Sequence, residues 1–351
     1  MRLLEDFVTL PPDISGVDGS GQGYPLYITA KRYYVKELED VEGDPDAVSI
    51  LALHSTSFHM ETWEPTLEVL FGLLVKNGTG KVKVREVWAV DCPNHGHAGV
   101  LNREILKRGG SAIVPGCEHY ATAVHRFLVN APRALGVDFS KRRFVGLGHS
   151  LGANSILLLQ MLEPVFTFIS LIIVEPMLSP GGERHLAKLR VQLVDGAKRR
   201  TREWPDRETA FSSFKSNPRT ANWDESVLRA FVKHAIAPTS SNAVGLACMH
   251  EQEVVRDPHA MYLDVEGATK PVEELTRLCS LLPVHLVLGL HKDFIPQNVH
   301  EDLLDPASGR KYASVTEIPD VGHLIPQRIP NKLGALIYEL LTFIMERPAK
   351  L

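Results

Sequence analysis

The 351-residue sequence has no apolar run long enough to cross a bilayer. Its longest strongly apolar stretch, Val165 to Val174, falls well short of the roughly 20 residues that a membrane helix needs. It has no excess of charge either: the formal net charge is −4, which gives no bulk electrostatic case for nucleic acid or an anionic membrane surface. Cysteine is sparse. Cys92, Cys117, Cys248 and Cys279 stand apart without C-x-x-C spacing, which argues against a zinc knuckle or a disulfide framework and fits a reducing compartment. The opening residues Met1-Arg2-Leu3-Leu4-Glu5-Asp6 turn acidic at once, so no secretory leader is expected. Internal repeats and low-complexity segments are absent.

What is present is an ordinary globular composition, 44% hydrophobic and 23% charged. The length suits one large domain, or one domain with an insertion. Short apolar segments recur and end in polar clusters. One or two early strands are expected between Tyr24 and Glu37. Val48–Leu53 runs into His54-Ser55-Thr56-Ser57-Phe58-His59, and Val87–Val90 runs into Asp91-Cys92-Pro93-Asn94-His95-Gly96-His97. Phe168–Val174 ends at Glu175, and Pro283–Leu290 ends at His291-Lys292-Asp293. Val315–Ile318 is the last strand expected. Helical spacing is expected over Glu118–Leu135 and over a closing helix carrying Leu333, Leu336, Ile337, Leu340, Leu341 and Ile344. Such alternation predicts an α/β fold with a mostly parallel central sheet covered by helices on both faces. Ligands in such sheets bind beyond the carboxyl ends of the strands, where these polar clusters fall.

The alternation breaks between Met177 and about Leu282. Charged helical patches at 183–194, 195–204, 207–214 and 223–235 predict a mainly helical cap over residues 177–282, inserted into a core made of 1–176 and 283–351. The run Lys198-Arg199-Arg200-Thr201-Arg202 is either a solvated helix face or a contact for an anionic substrate.

The most informative stretch is Arg143 to Asn154. Phe144-Val145-Gly146-Leu147 reads as a buried strand, and Ile156–Leu162 as a buried helix. Between them Gly148-His149-Ser150-Leu151-Gly152 fits G-x-S-x-G, in which a serine stands on a strained strand-to-helix turn. Glycine two residues to either side leaves room for that turn, and the following helix aims its N–H groups at charge developing beside the serine. The alternative is a strand-turn-helix with an idle serine.

These features together resemble the α/β-hydrolase superfamily over roughly residues 24–348. The segment Trp223-Asp224-Glu225-Ser226-Val227-Leu228, the pair Glu175-Pro176 and the C-terminal tripeptide look like fungal peroxisomal hydrolases, a group that includes toxin-biosynthesis hydrolases of the AK-toxin type. The resemblance implies an α/β-hydrolase fold and assigns roles. Ser150 matches the nucleophile, and His323, in Val321-Gly322-His323-Leu324-Ile325-Pro326, matches the histidine. Asp293 matches the acid loop, with an alternative reading as a helix N-cap. The rival acid is Glu175, at the end of the strand after the serine turn, where some members place theirs. The backbone N–H groups of Leu151 and Thr56 match the oxyanion donors. The usual His-Gly here is His54-Ser55, so Ser57 stays open as a contributor, as does the non-hydrolytic chemistry of hydroxynitrile-lyase-like members.

The implied activity is hydrolysis of a carboxylic ester, thioester or lactone through an acyl-enzyme, with a small-molecule acyl substrate and no cofactor. A lyase or cyclase using the same residues as an acid–base pair is one alternative, and a non-enzymatic binding protein is another. Asp91, His95 and His97 raise a metal reading. No following Asp-His pair supports it and Cys92 stands alone, so no metal is expected. The ending Ala349-Lys350-Leu351 differs by one residue from the Ser-Lys-Leu peroxisomal signal, and Pro348 discourages helical continuation before it. A peroxisomal import receptor is therefore the expected partner and the peroxisomal matrix the expected address, with the cytoplasm as alternative.

Overall fold

A computed structural model describes all residues except 14–22, 79, 81, 110–115, 240–241, 248–260 and 347–351. Cys248 and the Ala349-Lys350-Leu351 tail thus lie outside the described residues. The central sheet has eight strands: β1 (Leu4–Leu10), β2 (Ile28–Tyr34), β3 (Val48–Leu53), β4 (Val84–Val90), β5 (Arg143–His149), β6 (Phe168–Val174), β10 (Val284–Gly289) and β11 (Ser314–Ile318). Three short strands lie between β6 and β10 in the chain: β7 (Glu203–Trp204), β8 (Ile236–Pro238) and β9 (Val244–Leu246). The order across the large sheet is β1-β2-β4-β3-β5-β6-β10-β11. The β1–β2 and β2–β4 pairs are antiparallel, and all later neighbours run parallel.

Buried residues alternate between two cores, as a sheet covered on both faces requires. In β3, Leu51 and Leu53 point into one core and Ile50 and Ala52 into the other. The first core is closed by helices Cys117–Leu135, Leu151–Leu159 and Glu266–Leu278. The second is closed by helices Glu64–Asn77 and Pro330–Glu346, whose Leu67, Leu70, Phe71, Leu333 and Ile337 are fully buried. Among the described residues no helix is long and apolar enough to cross a membrane.

The edge strand β1 is absent from the sequence reading. Its pattern, Leu-Glu-Asp-Phe-Val-Thr-Leu, buries only Leu10 fully, so it shows neither alternation nor a continuous apolar run. The segment between β6 and β10, expected to be mainly helical, also contains strands. Helices Ala187–Arg199, Arg207–Ser216 and Glu225–His234 are joined by a three-stranded antiparallel sheet, β7-β9-β8. Helix Glu266–Leu278 packs against Leu151–Leu159 and Cys117–Leu135, on the core side. The three helices and the small sheet before Glu266 form a separate group. That group has its own small core of Trp204, Phe214, Trp223, Leu228, Phe231 and Ile236, into which Phe58 from the loop after β3 inserts. Phe58 contacts the Trp223 and Phe231 rings at centroid distances of 5.3 and 5.8 Å.

Candidate active site

The site forms where β3, β5, β6, β10 and β11 end. β5 stops at His149, and the next residue, Ser150, takes φ 55°, ψ −116°, a conformation that L residues rarely adopt. The strain is held on both sides. The Ser150 N–H donates to Val174 O at 3.0 Å, and helix Leu151–Leu159 begins at once. The two glycines are steric requirements. A Cβ on Gly152 would press into the carbonyl oxygens of Leu53 and His54, and one on Gly148 would lie 2.6 Å from the backbone nitrogen of Ala153. The Ser150 hydroxyl makes no capping bond to its own helix and faces His323 instead.

His323 lies beyond β11. Its Nε2 is 3.0 Å from Ser150 Oγ, and its Nδ1 is 3.2 Å from Glu175 Oε2. Phe294 stacks on the imidazole at 4.7 Å with the planes 6° apart, which holds the ring's tilt. His149 Nε2 donates to His323 O at 2.9 Å and fixes the backbone beneath it.

The carboxylate on the imidazole is therefore Glu175, and the expected Asp293 is not there. Asp293 Oδ1 accepts the backbone N–H of His323 at 3.0 Å, and Oδ2 lies 3.6 Å from Arg328 Nη1. The turn after β10 explains the difference. Leu290 N–H donates to Ile318 O and His291 N–H to Val321 O, which carries Asp293 against the main chain of Gly322-His323 rather than the ring. A Cβ on Gly322 would collide with that carboxylate. Glu175 follows β6, the immediate neighbour of β5, and so ends one strand from Ser150. It also has a positive φ, 43°. Its Oε1 accepts the N–H of Gly289 at 2.6 Å and faces His300 Nε2 at 3.6 Å. Burial pushes this carboxyl up, but hydrogen bonding to His300 and His323 outweighs burial and holds it well below the usual carboxylate range. Glu175 is thus ionised at neutral pH.

The loop after β3 and the start of helix Leu151–Leu159 line the same cavity. Among the described residues, the backbone N–H groups of Thr56 and Leu151 have no hydrogen-bond partner. Ser57 lines the same cavity, but it has φ 70° and its N–H donates to His95 Nε2 at 2.8 Å. Two more rings set this loop. His54 donates from Nδ1 to Ser55 O at 2.8 Å and accepts the Cys92 N–H on Nε2 at 3.0 Å, which defines its tautomer. His95 Nδ1 donates to Asn94 Oδ1 at 2.7 Å. Asp91 accepts from Thr29 Oγ1, Met60 N–H and His97 N–H. Asp91 and His95 are thereby committed to bracing the loops, and they do not join His97 in a ligand set.

Ser150, Leu151, Thr56 and His323 line a cavity of about 1070 Å³ between sheet and insertion. Aromatic walls come from Trp204, Phe214, Trp223 and Phe231, and Arg190, Arg199, Arg200 and Arg219 also reach it. Of the basic run noted in the sequence, Arg199 and Arg200 face the cavity.

Burial makes the fold sensitive to acid. It pushes the imidazoles of His54 and His149 down to about 3, and those of His119 and His285 down to about 4, from an ordinary value of 6.5. A group depressed in the folded state stabilises above its unfolded value and loses that contribution as pH falls toward its folded value. Asp91, pushed up to about 6 by burial, opposes this, since its contribution is present at low pH and is lost as pH rises through 6. Four groups outweigh one, at about 1.4 kcal/mol per pH unit for each group across its window. The urea midpoint is therefore expected to fall steadily from pH 7 to pH 4. A midpoint that stays flat or rises over that range would contradict buried neutral histidines.

Comparisons with known proteins agree with this fold. The sequence pattern of the alpha/beta hydrolase family matches residues 50–329. No curated protein sequence matches the chain. Among solved structures, the peroxisomal alpha-beta-hydrolase Lpx1 from Saccharomyces cerevisiae aligns at 15% identity over 99% of this chain and 91% of its own, with a TM-score of 0.70. A Mycobacterium tuberculosis esterase aligns at 15% identity over 96% and 92% of the two chains, with a TM-score of 0.61. A thioesterase domain from the curacin biosynthetic pathway aligns at 15% identity over 96% and 99%, with a TM-score of 0.57. Identities this low establish a shared fold and nothing finer.

Proposed function

Because the chain belongs to the alpha/beta hydrolase family, we propose that it is a serine hydrolase acting on a carboxylic ester, thioester or lactone through an acyl-enzyme on Ser150. One observation carries the reading: the continuous line Ser150 Oγ, His323 Nε2, His323 Nδ1, Glu175 Oε2, with neighbouring heavy atoms at 3.0 and 3.2 Å. In this mechanism His323 Nε2 takes the hydroxyl proton as Ser150 Oγ attacks the acyl carbon. The carbonyl oxygen becomes an oxyanion held by the N–H groups of Leu151 and Thr56, each worth about 3–4 kcal/mol to the transition state. His323 then gives its proton to the departing alcohol or thiol. Water, deprotonated by the same nitrogen, releases the acid and restores Ser150. Glu175 keeps the proton on Nδ1 and stabilises the imidazolium; it is not itself protonated. The aromatic walls suit an acyl chain or ring, and the arginines suit an anionic group elsewhere on the substrate. The test is labelling of Ser150 by a fluorophosphonate together with turnover of p-nitrophenyl acyl esters, set against Ser150→Ala. Labelling with no turnover of any ester or thioester would move the reading to non-hydrolytic acid–base chemistry. No labelling and no turnover would favour a binding protein.

The address proposed is the peroxisomal matrix, through capture of Ala349-Lys350-Leu351 by an import receptor. A fluorescent protein fused to the N-terminus is expected in peroxisomes with the tripeptide and in the cytosol without it. Diffuse fluorescence with the tripeptide intact would remove the address.

A further inference from the structure

Behind the loop that carries Thr56, three segments distant in sequence converge on one carboxylate oxygen. Glu61 stands in the short helix Met60–Trp63, His97 at the start of helix Gly96–Gly109, and His234 at the end of helix Glu225–His234 in the insertion. None of the three lines the Ser150 cavity. Glu61 Oε1 is 3.4 Å from His97 Nε2 and 3.3 Å from His234 Nδ1, and all three atoms lie within 4.8 Å of one another. Zinc binds imidazole nitrogen and carboxylate oxygen at about 2.0–2.1 Å in a tetrahedron, which places neighbouring ligand atoms about 3.3–3.4 Å apart. Two edges of this triangle already have that length.

Glu61 is fully buried, and its Oε1 makes no hydrogen bond among the described residues. With His234 Nδ1 as ligand the ring proton sits on Nε2, which has no hydrogen-bond partner among the described residues. His59 Nδ1 donates to the other Glu61 oxygen at 2.8 Å, as an outer partner of a ligating carboxylate does.

The local charge is unbalanced. Lys31 Nζ is 3.1 Å from Glu61 Oε1, and the same ammonium also serves Glu5 at 2.9 Å and Glu64 at 3.3 Å. Three carboxylates therefore share one lysine. A divalent ion would offset the excess and leave Lys31 to Glu5 and Glu64. A second cavity, of about 400 Å³, opens onto His97 and His234 beside Phe7, Val100 and Leu101. It offers an entry path and room for a water as fourth ligand.

We propose that Glu61, His97 and His234 bind a divalent transition-metal ion of the zinc class at the seam between insertion and core, separate from the hydrolytic site. Two imidazoles and a carboxylate favour zinc-like ions over magnesium or calcium. The ion clamps helix Glu225–His234 to the core, and Phe231 of that helix packs on Phe58 of the loop carrying Thr56. The proposal does not depend on the hydrolase reading, because its readout is binding.

The experiment titrates the full-length protein, dialysed first against chelator, with Zn²⁺ and with Mg²⁺ by calorimetry, and with Co²⁺ by visible absorption. The expected result is one Zn²⁺ per chain, no Mg²⁺ heat, and the intense visible bands of tetrahedral Co²⁺. His97→Ala and His234→Ala are each expected to weaken Zn²⁺ binding 100-fold or more, and Zn²⁺ to raise the melting temperature of the parent chain but not of the double variant. Should His234→Ala fail to fold, His97→Ala carries the comparison, since that side chain is 44% exposed and its loss leaves no core cavity. No Zn²⁺ binding, a weak octahedral Co²⁺ spectrum, or binding unchanged in His97→Ala would each overturn the site.

Discussion

Ser150→Ala is expected to lower turnover of p-nitrophenyl esters by about 10⁶-fold while the chain stays folded. Both halves follow from the turn. Alanine keeps the backbone N–H that bonds Val174 O, adds no atom to the crowded space around Gly148 and Gly152, and accepts the positive φ no worse than serine does. What it removes is one oxygen, 3.0 Å from His323 Nε2. Without that oxygen neither the acyl-enzyme nor the proton transfer can occur. The N–H groups of Thr56 and Leu151 remain to polarise a bound ester, so a small residual rate above water is compatible with the mechanism. A purified Ser150→Ala protein that keeps more than about a thousandth of parent activity, with unchanged circular dichroism, would show that another nucleophile operates.

Glu175→Gln carries the second large effect, about 10⁴-fold in kcat with little change in KM. The amide is nearly the same size and can still accept the Gly289 N–H through its oxygen. Its NH₂ would then face His323 Nδ1 and donate, moving the ring proton to Nε2, where it blocks acceptance of the Ser150 proton. Asp293→Asn differs in kind. Its Oδ1 can still accept the His323 N–H, and the change weakens one charge-assisted bond and the Arg328 contact, a matter of about 1–2 kcal/mol and at most some thirtyfold in rate. Measuring kcat for both variants decides the assignment. If Asp293→Asn proves the more damaging, the carboxylate seen on the imidazole is not the one that supports the reaction.

Much of this protein is legible without coordinates, for a local reason. The serine turn is announced by two glycines whose necessity is steric and short-range, and the strands before and after it are apolar because both faces of a parallel sheet are buried. Polar residues gather at the carboxyl ends of those strands. The turn at Ser150 is read from that spacing, whereas His323, Thr56 and Leu151 are singled out by the family resemblance, and the structure lines one cavity with all four. The choice between Asp293 and Glu175 is not of that type. Both follow strands of the sheet, and both sit beside a histidine's loop. Which carboxylate meets the ring depends on β6 being the neighbour of β5, and on the turn after β10 spending Asp293 on a backbone N–H. That the Ser57 N–H is already spent likewise depends on His95, brought to it from the loop after β4.

The sequence by itself thus determined the fold class and the strained serine, because each is written in spacings of a few residues; the histidine after the last strand came from the family resemblance. Only the tertiary structure brought Glu175 rather than Asp293 to the imidazole, joined the helices after β6 by a small sheet, and drew Glu61, His97 and His234 together at the seam. Those outcomes turn on which elements become neighbours. Neighbour relations are set by long-range packing of sheet and helices, which leaves no local period in the chain.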